Sequence, residues 1–528
     1  LVTPANTTIN QNNGFEIIPI TVTATDSDGT VSNVSITIDE STSNMTAGAD
    51  NTYTYNFLPS KHQEYPFVIT AVDDESGSKT LNETLNIIDS QFVPLPSGNI
   101  ILGYAHSWEP EDGSVPYLTF KEIAEKTNYN VVMYSFIVTE KDKFTPRLGI
   151  YSEAEAYQTN GAFDKQLLID DIDVLRRKGV PVIASIGGAT GHLALNNEDE
   201  KDVFVSGVKA IIDEYGFDGV DIDLESESIN FEAGGLTSFS LEAIAAYPRL
   251  RYTIEAFKEL KAFYGPRFIL TCAPETAYVQ LGYNTYSHAA GSFLPVIDNL
   301  RDELDLVMVQ LYNTGSMFGL DEGIYNQGTP DFLTAMSDML ITGFEVARNS
   351  GINFAGLPAS KIMVAIPSCP SAAQAASYLK PELAAKALDY MRFGTDFTGR
   401  KYTLQNGIHP NLRGVMTWSI NWDAVANCAG EYEFSDSYDA YFKESLSVPD
   451  NDANVAIQMY PNPATDKLTI KANQGTIASV KIFNVIGKEM HAIINPSESF
   501  DISFLPSGLY IVQLKTGEKM AYKKLVKK

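Results

Sequence analysis

Hydrophobic and polar residues alternate over short runs in the first 90 residues of the chain. Runs such as FEIIPITVTATD, VSNVSITID and YPFVITAVDD are separated by clusters of Asp, Gly and Ser. Alternation with a period of two puts one set of side chains on each face of a β-strand. Residues 1–92 are therefore predicted to form a small β-sandwich, and the segment FVPLPSGN is predicted to be the linker that follows it.

The pattern changes in residues 98–447, where strand-like apolar runs alternate with longer amphipathic segments. Segments such as FDKQLLIDDIDVLRRKG carry apolar residues at three- and four-residue spacing, which is typical of helices that pack one face on a core. The strand-like runs number eight: NIILGYAHSW, NVVMYSFIV, PVIASIGG, FDGVDIDLE, RFILTCAPE, LDLVMVQLYN, KIMVAIPS and GVMTWSINWD. Eight strand–helix units predict an α/β fold, a closed (β/α)₈ or TIM barrel.

Short alternating runs return after the linker-like stretch SLSVPDNDAN. The runs VAIQMYPNP, KLTIKAN, ASVKIFNVIG and GLYIVQLKTG predict a second small β-sandwich over residues 453–528. Three domains suit a chain of 528 residues, because a single hydrophobic core stops growing at about 250–300 residues.

Charge and composition narrow the classes of partner. The formal net charge of −28 disfavours a nucleic acid or an anionic membrane, because both would repel the protein, and it is compatible with a neutral substrate. Three cysteines without close spacing, Cys272, Cys369 and Cys428, predict one disulfide at most and no zinc site. The six histidines also lack ligand spacing, so no metal or other cofactor is expected.

Neither a membrane span nor a leader is expected from the sequence as it stands. The chain has no run of about 18 apolar residues, which a membrane-spanning helix would require. It begins at Leu1 without a basic and apolar leader segment, as we expect of a processed or trimmed chain.

The run FDGVDIDLE brings three carboxyl groups to one face of a strand. Because side chains alternate, Asp221, Asp223 and Glu225 point into the predicted barrel, and the aliphatic residues between them point outward. Barrel enzymes keep their catalytic groups at the carboxyl ends of the strands, where Glu225 lies. Cations are scarce in the strand runs, so these acids must share protons or hydrogen bonds. Crowded like charges raise pKa values, which keeps a carboxyl group protonated as a general acid.

The spacing D-x-x-D-x-D-x-E, formed by Asp218, Asp221, Asp223 and Glu225, resembles the active-site strand of glycoside hydrolase family 18. Further motifs lie on the strands where that family has them. SIGG (185–188) ends the third strand, APE (273–275) the fifth and MVQLYN (308–313) the sixth, and the eighth carries a tryptophan in MTWSINWD. The resemblance therefore covers the whole predicted barrel.

This resemblance implies a retaining glycosidase whose substrate supplies its own nucleophile. Glu225 would protonate the glycosidic oxygen while the acetamido carbonyl oxygen of the bound sugar attacks the anomeric carbon. Asp223 would stabilise the resulting oxazolinium ion, with Asp221 behind it as proton partner. Tyr312 would donate its hydroxyl to the acetamido oxygen and hold it in position for attack.

The other motif residues receive supporting roles from the same resemblance. Trp418 would form the apolar floor of the sugar site. Four further side chains would line that pocket: Gln310, Met308, Asn313 and Tyr104. Gly187 and Gly188, which follow Ser185 in the SIGG motif, are expected to permit close packing beside the acid strand. Asp218 has the wrong parity for the pocket, so we expect it to be structural.

The sequences of the two flanking segments differ in how specifically they resemble known domains. Residues 453–528 resemble the C-terminal sorting domain of type IX secretion in MYPNPATDKLTI, in VKIFNVIGKEM and in the ending LPSGLYIVQLKTGEKMAYKKLVKK. That resemblance implies the secretion machinery as a partner and export across the outer membrane, to the cell surface or beyond. The amino-terminal segment resembles an immunoglobulin-like or fibronectin-like module in strand pattern alone. It has no tryptophan, so a spacer is favoured over a chitin-binding module.

The expected substrate is chitin or its oligosaccharides, and the chain is expected to act as a monomer. Residues 368–414 are short and mainly helical in pattern, so the α+β insertion that walls the cleft of many secreted family members is expected to be absent. Two alternatives stay open. An endo-β-N-acetylglucosaminidase acting on the N-glycan core would share the mechanism, and a non-catalytic chitin-binding lectin would share the fold but usually lacks the acid.

Overall fold

The structure is a computed structural model, and it describes most of the chain. The described residues are 2–3, 7–10, 17–60, 64–88, 92–225, 228–231, 234–446, 457–472, 476–484, 489–494, 496–516 and 519–528. Every helix within these ranges is too short or too polar to span a lipid bilayer. The predicted second linker lies mostly outside them, together with the predicted domain limits at residues 447 and 453.

Eight parallel strands form a barrel, in the order of the predicted runs. They are β1 (Ile100–His106), β2 (Val131–Thr139), β3 (Val182–Gly187), β4 (Gly219–Asp223), β5 (Ile269–Cys272), β6 (Leu306–Val307), β7 (Met363–Pro367) and β8 (Gly414–Trp418). Consecutive strands pair from β1 to β6, β7 pairs with β8, and β8 pairs with β1. Bridges Val307–Ile362 and Gln310–Ala365 join β6 to β7 and close the barrel. The predicted (β/α)₈ fold is confirmed.

A helix follows each strand and packs on the outside of the barrel. The eight are α1 (Phe120–Lys126), α2 (Lys165–Arg177), α3 (Glu198–Tyr215), α4 (Pro248–Tyr264), α5 (Leu294–Asn299), α6 (Pro330–Thr342), α7 (Pro381–Phe393) and α8 (Glu433–Leu446). Side chains of Thr119, Asp164, Asn197 and Thr329 accept backbone N–H groups at the starts of α1, α2, α3 and α6. These caps satisfy donors that a helix start leaves unpaired, so they fix where each helix begins.

Two apolar cores result from the alternation of side chains along the strands. Outward residues such as Val220 and Ile222 pack against the helices in the larger core. Inward residues fill the barrel with aliphatic and methionine side chains, among them Ile100, Leu102, Val131, Met133, Ile183, Ile269, Leu306, Met363 and Met416. The inward positions near the carboxyl end of β4 are Asp221 and Asp223, so the polar layer lies at the end of the barrel where the loops form the cleft.

The amino-terminal segment forms two facing sheets with a core of their own. One sheet contains Val2–Thr3, Ile18–Thr23, Thr46–Ala47 and Thr52–Phe57, and the other contains Thr7–Asn10, Val31–Ile38, Ser41–Asn44, Glu64–Asp73 and Ser78–Ile88. Alternate residues such as Ile18, Ile20, Ile36 and Phe67 are buried between them. The predicted β-sandwich is confirmed.

The carboxyl-terminal segment is a second sandwich. Its sheets contain Ile457–Tyr460, Lys467–Ala472 and Ser499–Asp501 on one side, and Ile477–Asn484, Glu489–Ile494, Gly508–Thr516 and Lys519–Lys527 on the other. Buried residues of both sheets, such as Leu468, Ile482 and Val512, form its core.

The chain enters the barrel at the end opposite the cleft. The backbone N–H of Val93 donates to Asp218 at 2.7 Å, just before β4, and the ring of Phe92 meets Tyr264 edge to face at 5.4 Å. The end of α8 lies at the same face, because strands run toward the cleft and the helices run back. The described part of the barrel therefore begins, at Phe92, and ends, with α8, on the face where the strands begin.

The segment between β7 and β8 is short of the elements that would wall the cleft. Residues 368–413 hold one α-helix, α7, and a short 3₁₀ turn at Ala375–Ser377, with no strand, so the walling insertion is absent as expected. A disulfide joins Cys369, just after β7, to Cys428, in the loop after β8. Cys272 is a buried free thiol in β5. The single disulfide agrees with the predicted limit of one.

We expect removal of this disulfide to destabilise the barrel. The bridge closes a loop of 59 residues, for which chain entropy alone gives about 4 kcal/mol of stabilisation as an upper value. The double variant Cys369→Ser/Cys428→Ser should therefore unfold at a lower temperature than the wild type in differential scanning calorimetry. A reductant should lower the Tm of the wild type and leave that of the variant unchanged. Equal reductant sensitivity of both proteins would show that the bridge does not stabilise the fold.

Candidate active site

Asp221 is buried inside the barrel with hydroxyl groups around it instead of a cation. Its carboxyl accepts hydrogen bonds from Tyr104 at 2.7 Å, Ser185 at 2.7 Å and Thr271 at 2.6 Å. These donors come from β1, β3 and β5, so three strands converge on one carboxyl group. Burial raises the pKa of Asp221, while the three hydroxyl donors act in the opposite direction.

Gln310, in the segment after β6, joins the other two carboxyl groups of the acid run. Its Nε2 lies 2.9 Å from Oδ1 of Asp223, 3.1 Å from Oε1 of Glu225 and 2.9 Å from the carbonyl oxygen of Ala273. One side-chain amide thus holds both carboxyl groups on the same side of the pocket. This arrangement places Glu225, two residues beyond Asp223, at the open edge of the cluster.

The pKa values of these groups are shifted in the direction that keeps protons on the cluster. Burial, and then the negative charges of Glu225 and Asp221, raise the pKa of Asp223 well above its ordinary value. Burial also raises the pKa of Glu225, although the Gln310 amide and then the charge of His192 lower it. A carboxyl group with a raised pKa can remain protonated near neutral pH and donate a proton to a bound ligand.

Tyr312 and Glu275 complete the polar side of the pocket. Burial, and then the charges of Asp223 and Glu225, raise the pKa of Tyr312 well above its ordinary value, so it remains a neutral hydroxyl. Glu275, just beyond β5, pairs through its backbone with Gln310. Burial and the nearby charge of Glu225 raise its pKa. Glu275 is therefore a fourth carboxyl group beside the predicted three.

An aromatic surface forms the other side of the pocket. Trp418, at the end of β8, stacks with Phe136 at a ring distance of 5.9 Å and with Trp108 at 6.2 Å. His106 lies against both indoles, 4.3 Å from Trp108 and 5.0 Å from Trp418. Burial lowers the pKa of His106 to about 3, so its imidazole is neutral and behaves as another flat ring. Tyr104 lies behind Trp418 at 5.9 Å.

The glycines of the SIGG motif lie where a side chain would not fit. A Cβ on Gly187 would approach the backbone oxygen of Asp223 to 2.2 Å, and one on Gly188 would meet the ring of Phe136 at 2.8 Å. Both residues also have positive φ values, 118° and 72°, which favour glycine. The loop after β3 can therefore pack directly on the acid strand, and the N–H of Gly188 donates to the carbonyl of Asp223 at 2.8 Å.

Asp218 lies at the opposite end of β4 and does not face the pocket. It accepts hydrogen bonds from the backbone N–H groups of Val93 and Val182 at 2.7 and 2.9 Å, and from Nε of Arg176 at 3.1 Å. Burial raises its pKa to about 6 despite the guanidinium of Arg176. Its contacts join the chain entrance, β3 and α2, which fits the structural role expected from parity.

The other three predicted pocket residues lie at different depths in the barrel. Met308 is fully buried in the inner barrel core, and Tyr104 is buried with its hydroxyl on Asp221. Asn313 is exposed at the rim, where its side chain accepts from the N–H of Gln374 at 2.8 Å and its own N–H donates to Ser377 at 3.0 Å. Asn313 thus connects the loops after β6 and β7. In contrast, Gln310, Tyr312 and Trp418 lie together around the acid run.

Several residues of the site were not singled out in the sequence. Thr271 and His106 stand at inward positions of β5 and β1, so alternation along the strands could have found them. Phe136 lies within β2 at a register irregularity between Ser135 and Ile137, and His192 lies in the loop after β3, so regular alternation applies to neither. His192 is near enough for its charge to lower the pKa of Glu225.

A (β/α)₈ barrel with protonatable carboxyl groups beside an aromatic floor, at the carboxyl ends of its strands, is the architecture of a glycoside hydrolase. The chain belongs to the glycosyl hydrolases family 18, whose family model matches residues 100–429. The resemblance seen in the acid run is therefore confirmed.

Relatives and solved structures agree with this membership. A protein named Chitinase ChiA from Flavobacterium johnsoniae is 50% identical over 98% of this chain and 33% of its own length. Chitinase D from Niallia circulans is 38% identical over 69% of this chain and 66% of its own. The crystal structure of a family GH18 chitinase from Chromobacterium violaceum is 30% identical, with a TM-score of 0.57 over 67% of this chain and 85% of that one. The chain thus spans about a third of the Flavobacterium relative.

Residues 458–528 match the secretion system C-terminal sorting domain. This match confirms the sorting domain that was expected from the carboxyl-terminal motifs. The protein is accordingly exported across the outer membrane and is secreted or held at the cell surface.

The contacts of Gln310 predict a shift in the pH dependence of hydrolysis. An acid catalyst works in its protonated form, so kcat/KM falls as pH rises through its pKa. The Gln310 amide stabilises the ionised form of Glu225 and lowers its pKa. The Gln310→Leu variant should therefore lose activity overall, but its remaining activity should persist to higher pH. A basic limb of the pH–kcat/KM profile that stays in place or moves to lower pH would contradict this role.

Proposed function

We propose that this protein is a chitinase that cleaves β-1,4 linkages between N-acetylglucosamine units of chitin or its oligosaccharides. The observation that carries the proposal is the pairing of Glu225 and Asp223 on the amide of Gln310, at 3.1 and 2.9 Å. That pairing puts a proton donor and a second carboxyl group on one side of the pocket, facing the aromatic floor. The names of the relatives, chitinases in each case, support the same substrate.

The carboxyl groups favour a mechanism in which the substrate supplies the nucleophile. In a two-carboxylate glycosidase the two groups lie on opposite sides of the sugar. Here Asp223 and Glu225 are neighbours on one strand, and both reach the same nitrogen atom. Asp223 is therefore placed to contact the acetamido group of the sugar instead of attacking the anomeric carbon. The acetamido carbonyl oxygen takes the part of the missing nucleophile.

In the first step the sugar ring before the scissile bond lies on Trp418. Glu225 gives its proton to the glycosidic oxygen, and the bond from the anomeric carbon to that oxygen breaks. The acetamido carbonyl oxygen forms a new bond to the anomeric carbon, which gives an oxazolinium ion. Asp223 accepts the acetamido N–H and stabilises the positive charge, and Tyr312 orients the acetamido oxygen.

The second step restores the enzyme. Glu225, now a carboxylate, takes a proton from water, and the water oxygen attacks the anomeric carbon. The bond to the acetamido oxygen breaks, so the sugar keeps its original configuration. The hydroxyl groups of Tyr104, Ser185 and Thr271 around Asp221 let that carboxyl group share charge with Asp223 while the positive ion exists.

The cleft bears on how the enzyme acts on a polymer, and the carboxyl-terminal domain bears on its export. The absence of a wall between β7 and β8 favours cleavage within chains over long processive runs along one chain. We expect the enzyme to act as a monomer, because Asp221, Asp223, Glu225, Tyr312 and Trp418 all belong to the same barrel. The type IX secretion machinery is the expected partner of the sorting domain.

Replacement of Glu225 by Gln should abolish most of the activity without unfolding the protein. The change removes the acidic proton but keeps the shape of the side chain, and acid–base catalysis typically contributes about 10²–10⁴-fold. We expect Glu225→Gln to lose at least that much turnover on colloidal chitin, with an unchanged circular dichroism spectrum. Glu255→Gln, at an exposed position on α4 that pairs with Arg251, is the matched control and should retain wild-type turnover.

Product analysis by mass spectrometry separates the alternatives. The wild type and Glu225→Gln are each incubated with colloidal chitin, with N-acetylglucosamine oligomers and with a high-mannose glycoprotein. Release of short N-acetylglucosamine oligomers by the wild type alone supports the chitinase. Release of glycans from the glycoprotein would indicate an endo-β-N-acetylglucosaminidase, and binding to chitin without any product would indicate a lectin.

A further inference from the structure

His106 ends strand β1 as the buried member of the aromatic surface. It is 5% exposed, whereas Trp108 is 36% exposed and Trp418 is partly exposed. The imidazole is parallel to the indole of Trp108, at a ring distance of 4.3 Å and an interplanar angle of 5°. It lies 5.0 Å from the ring of Trp418, at an angle of 34°. His106 therefore supports two indoles from inside the barrel.

Among the described residues, four rings lie near the indole of Trp418, and the ring of His106 is the nearest. Its distance of 5.0 Å compares with 5.9 Å for both Tyr104 and Phe136 and with 6.2 Å for Trp108. The hydroxyl of Tyr104 is bound to Asp221, so this ring cannot follow a movement of the indole. Because His106 stacks on Trp108 as well, loss of the imidazole would release two indoles at once.

Hydrogen bonds fix the backbone at His106 to the segment that follows Trp418. The N–H of His106 donates to Oδ1 of Asn421 at 2.8 Å, and Nδ2 of Asn421 donates to the carbonyl oxygen of Pro116 at 2.9 Å. On the other side, the N–H of the next residue, Ser107, donates to the carbonyl oxygen of Ser135 at 2.8 Å. These bonds hold the end of β1 against the chain that carries Trp418. The imidazole therefore has a fixed position beside the indole.

Polar contacts do not explain a histidine at this position. Both ring nitrogen atoms of His106 are buried without a hydrogen-bond partner in the part of the chain that the structure describes. A buried polar atom without a partner destabilises a fold, whereas an apolar side chain of similar size does not carry this cost. Burial also lowers the pKa of the imidazole to about 3, so the ring is neutral near pH 7. The flat ring is therefore the part of His106 that contributes to the site.

We propose that His106 is a positioning residue that holds the indole of Trp418 in place beneath the reacting sugar by stacking against it and against Trp108. This inference rests on the proposed chitinase function, in which the sugar on Trp418 forms the oxazolinium ion. An indole free to tilt would leave that sugar bound, but less often in the position from which the acetamido oxygen attacks the anomeric carbon. His106 itself is buried and acts only through the indole.

Two apolar substitutions separate the ring from its nitrogen atoms. His106→Leu and His106→Phe both remove the nitrogen atoms, and only phenylalanine keeps a flat ring. The values of kcat and KM are measured with the N-acetylglucosamine tetramer as substrate. We expect His106→Leu to lower kcat about tenfold, the effect of losing one aromatic ring contact. KM should stay close to that of the wild type, because the other contacts of the oligomer are kept. His106→Phe should retain most of the wild-type kcat.

The circular dichroism of the indoles gives a readout that does not depend on activity. The chain has three tryptophans, Trp108, Trp418 and Trp422, and the indoles of the first two stack at 6.2 Å. We expect His106→Leu to lose part of the near-ultraviolet tryptophan signal and His106→Phe to keep it, with the far-ultraviolet spectrum unchanged in both. An unchanged tryptophan signal in His106→Leu would show that the indoles keep their places without the imidazole, which overturns the inference.

A second background tests whether His106 acts through the indole. In Trp418→Ala, the further change His106→Leu should lower kcat by less than about twofold, because the ring that it positions is already absent. His106→Met, a second variant without a ring, should behave as His106→Leu does, so a folding defect in one variant does not decide the result.

Three kinetic results would overturn the inference. The first is an equal kcat in the variants with and without a ring, and the second is a tenfold loss that persists in Trp418→Ala. The third is a shifted limb of the pH–kcat/KM profile in either apolar variant, because His106 would then act on the charges of the acid run. Failure of the wild type to cleave the tetramer would instead reject the chitinase function, and the circular dichroism of the variants would still decide whether His106 positions the indoles.

Discussion

The structure depends on one constraint, which is that Asp221 is buried in the barrel without a cation. A lone buried carboxylate is costly, and this one is accommodated by hydroxyl groups from three different strands. Those contacts fix the register of β1, β3 and β5 around β4. They also leave Asp223 and Glu225 as the groups of the run that can exchange protons with a ligand. The same feature that holds the strands together therefore prepares the chemistry at their ends.

The buried carboxyl groups at the two ends of β4 are stabilised in different ways. At the start of the strand Asp218 has a guanidinium and backbone N–H groups as partners, which stabilise a negative charge that never needs to move. At the other end hydroxyl and amide groups donate hydrogen bonds to the carboxyl groups. Negative charge can therefore pass among Asp221, Asp223 and Glu225 during a reaction. A cation at that end would hold the acids ionised and remove the proton donor. The scarcity of Lys and Arg in the strand runs is thus part of the catalytic arrangement.

Much of the fold and the centre of the site could be predicted from periodicity, and the remainder could not. A period of two along FDGVDIDLE separates the residues of the pocket from those of the outer core, and Trp418 follows from the matching eighth strand. The alternation of side chains does not predict that Gln310 bridges two carboxyl groups or that Met308 is buried. Both depend on the position of β6 relative to the neighbouring strands. The pairing of Cys369 with Cys428, and the place of His192 beside Glu225, depend on loops that no local pattern describes.

The positions at which the described barrel begins and ends leave its cleft open. Phe92 and Val93 contact the barrel at the face where the strands begin, and α8 ends at that same face, whereas the carboxyl groups lie at the opposite end. A polymer chain that lies across the cleft therefore meets the loops of the barrel itself instead of the segments at which the described barrel begins and ends.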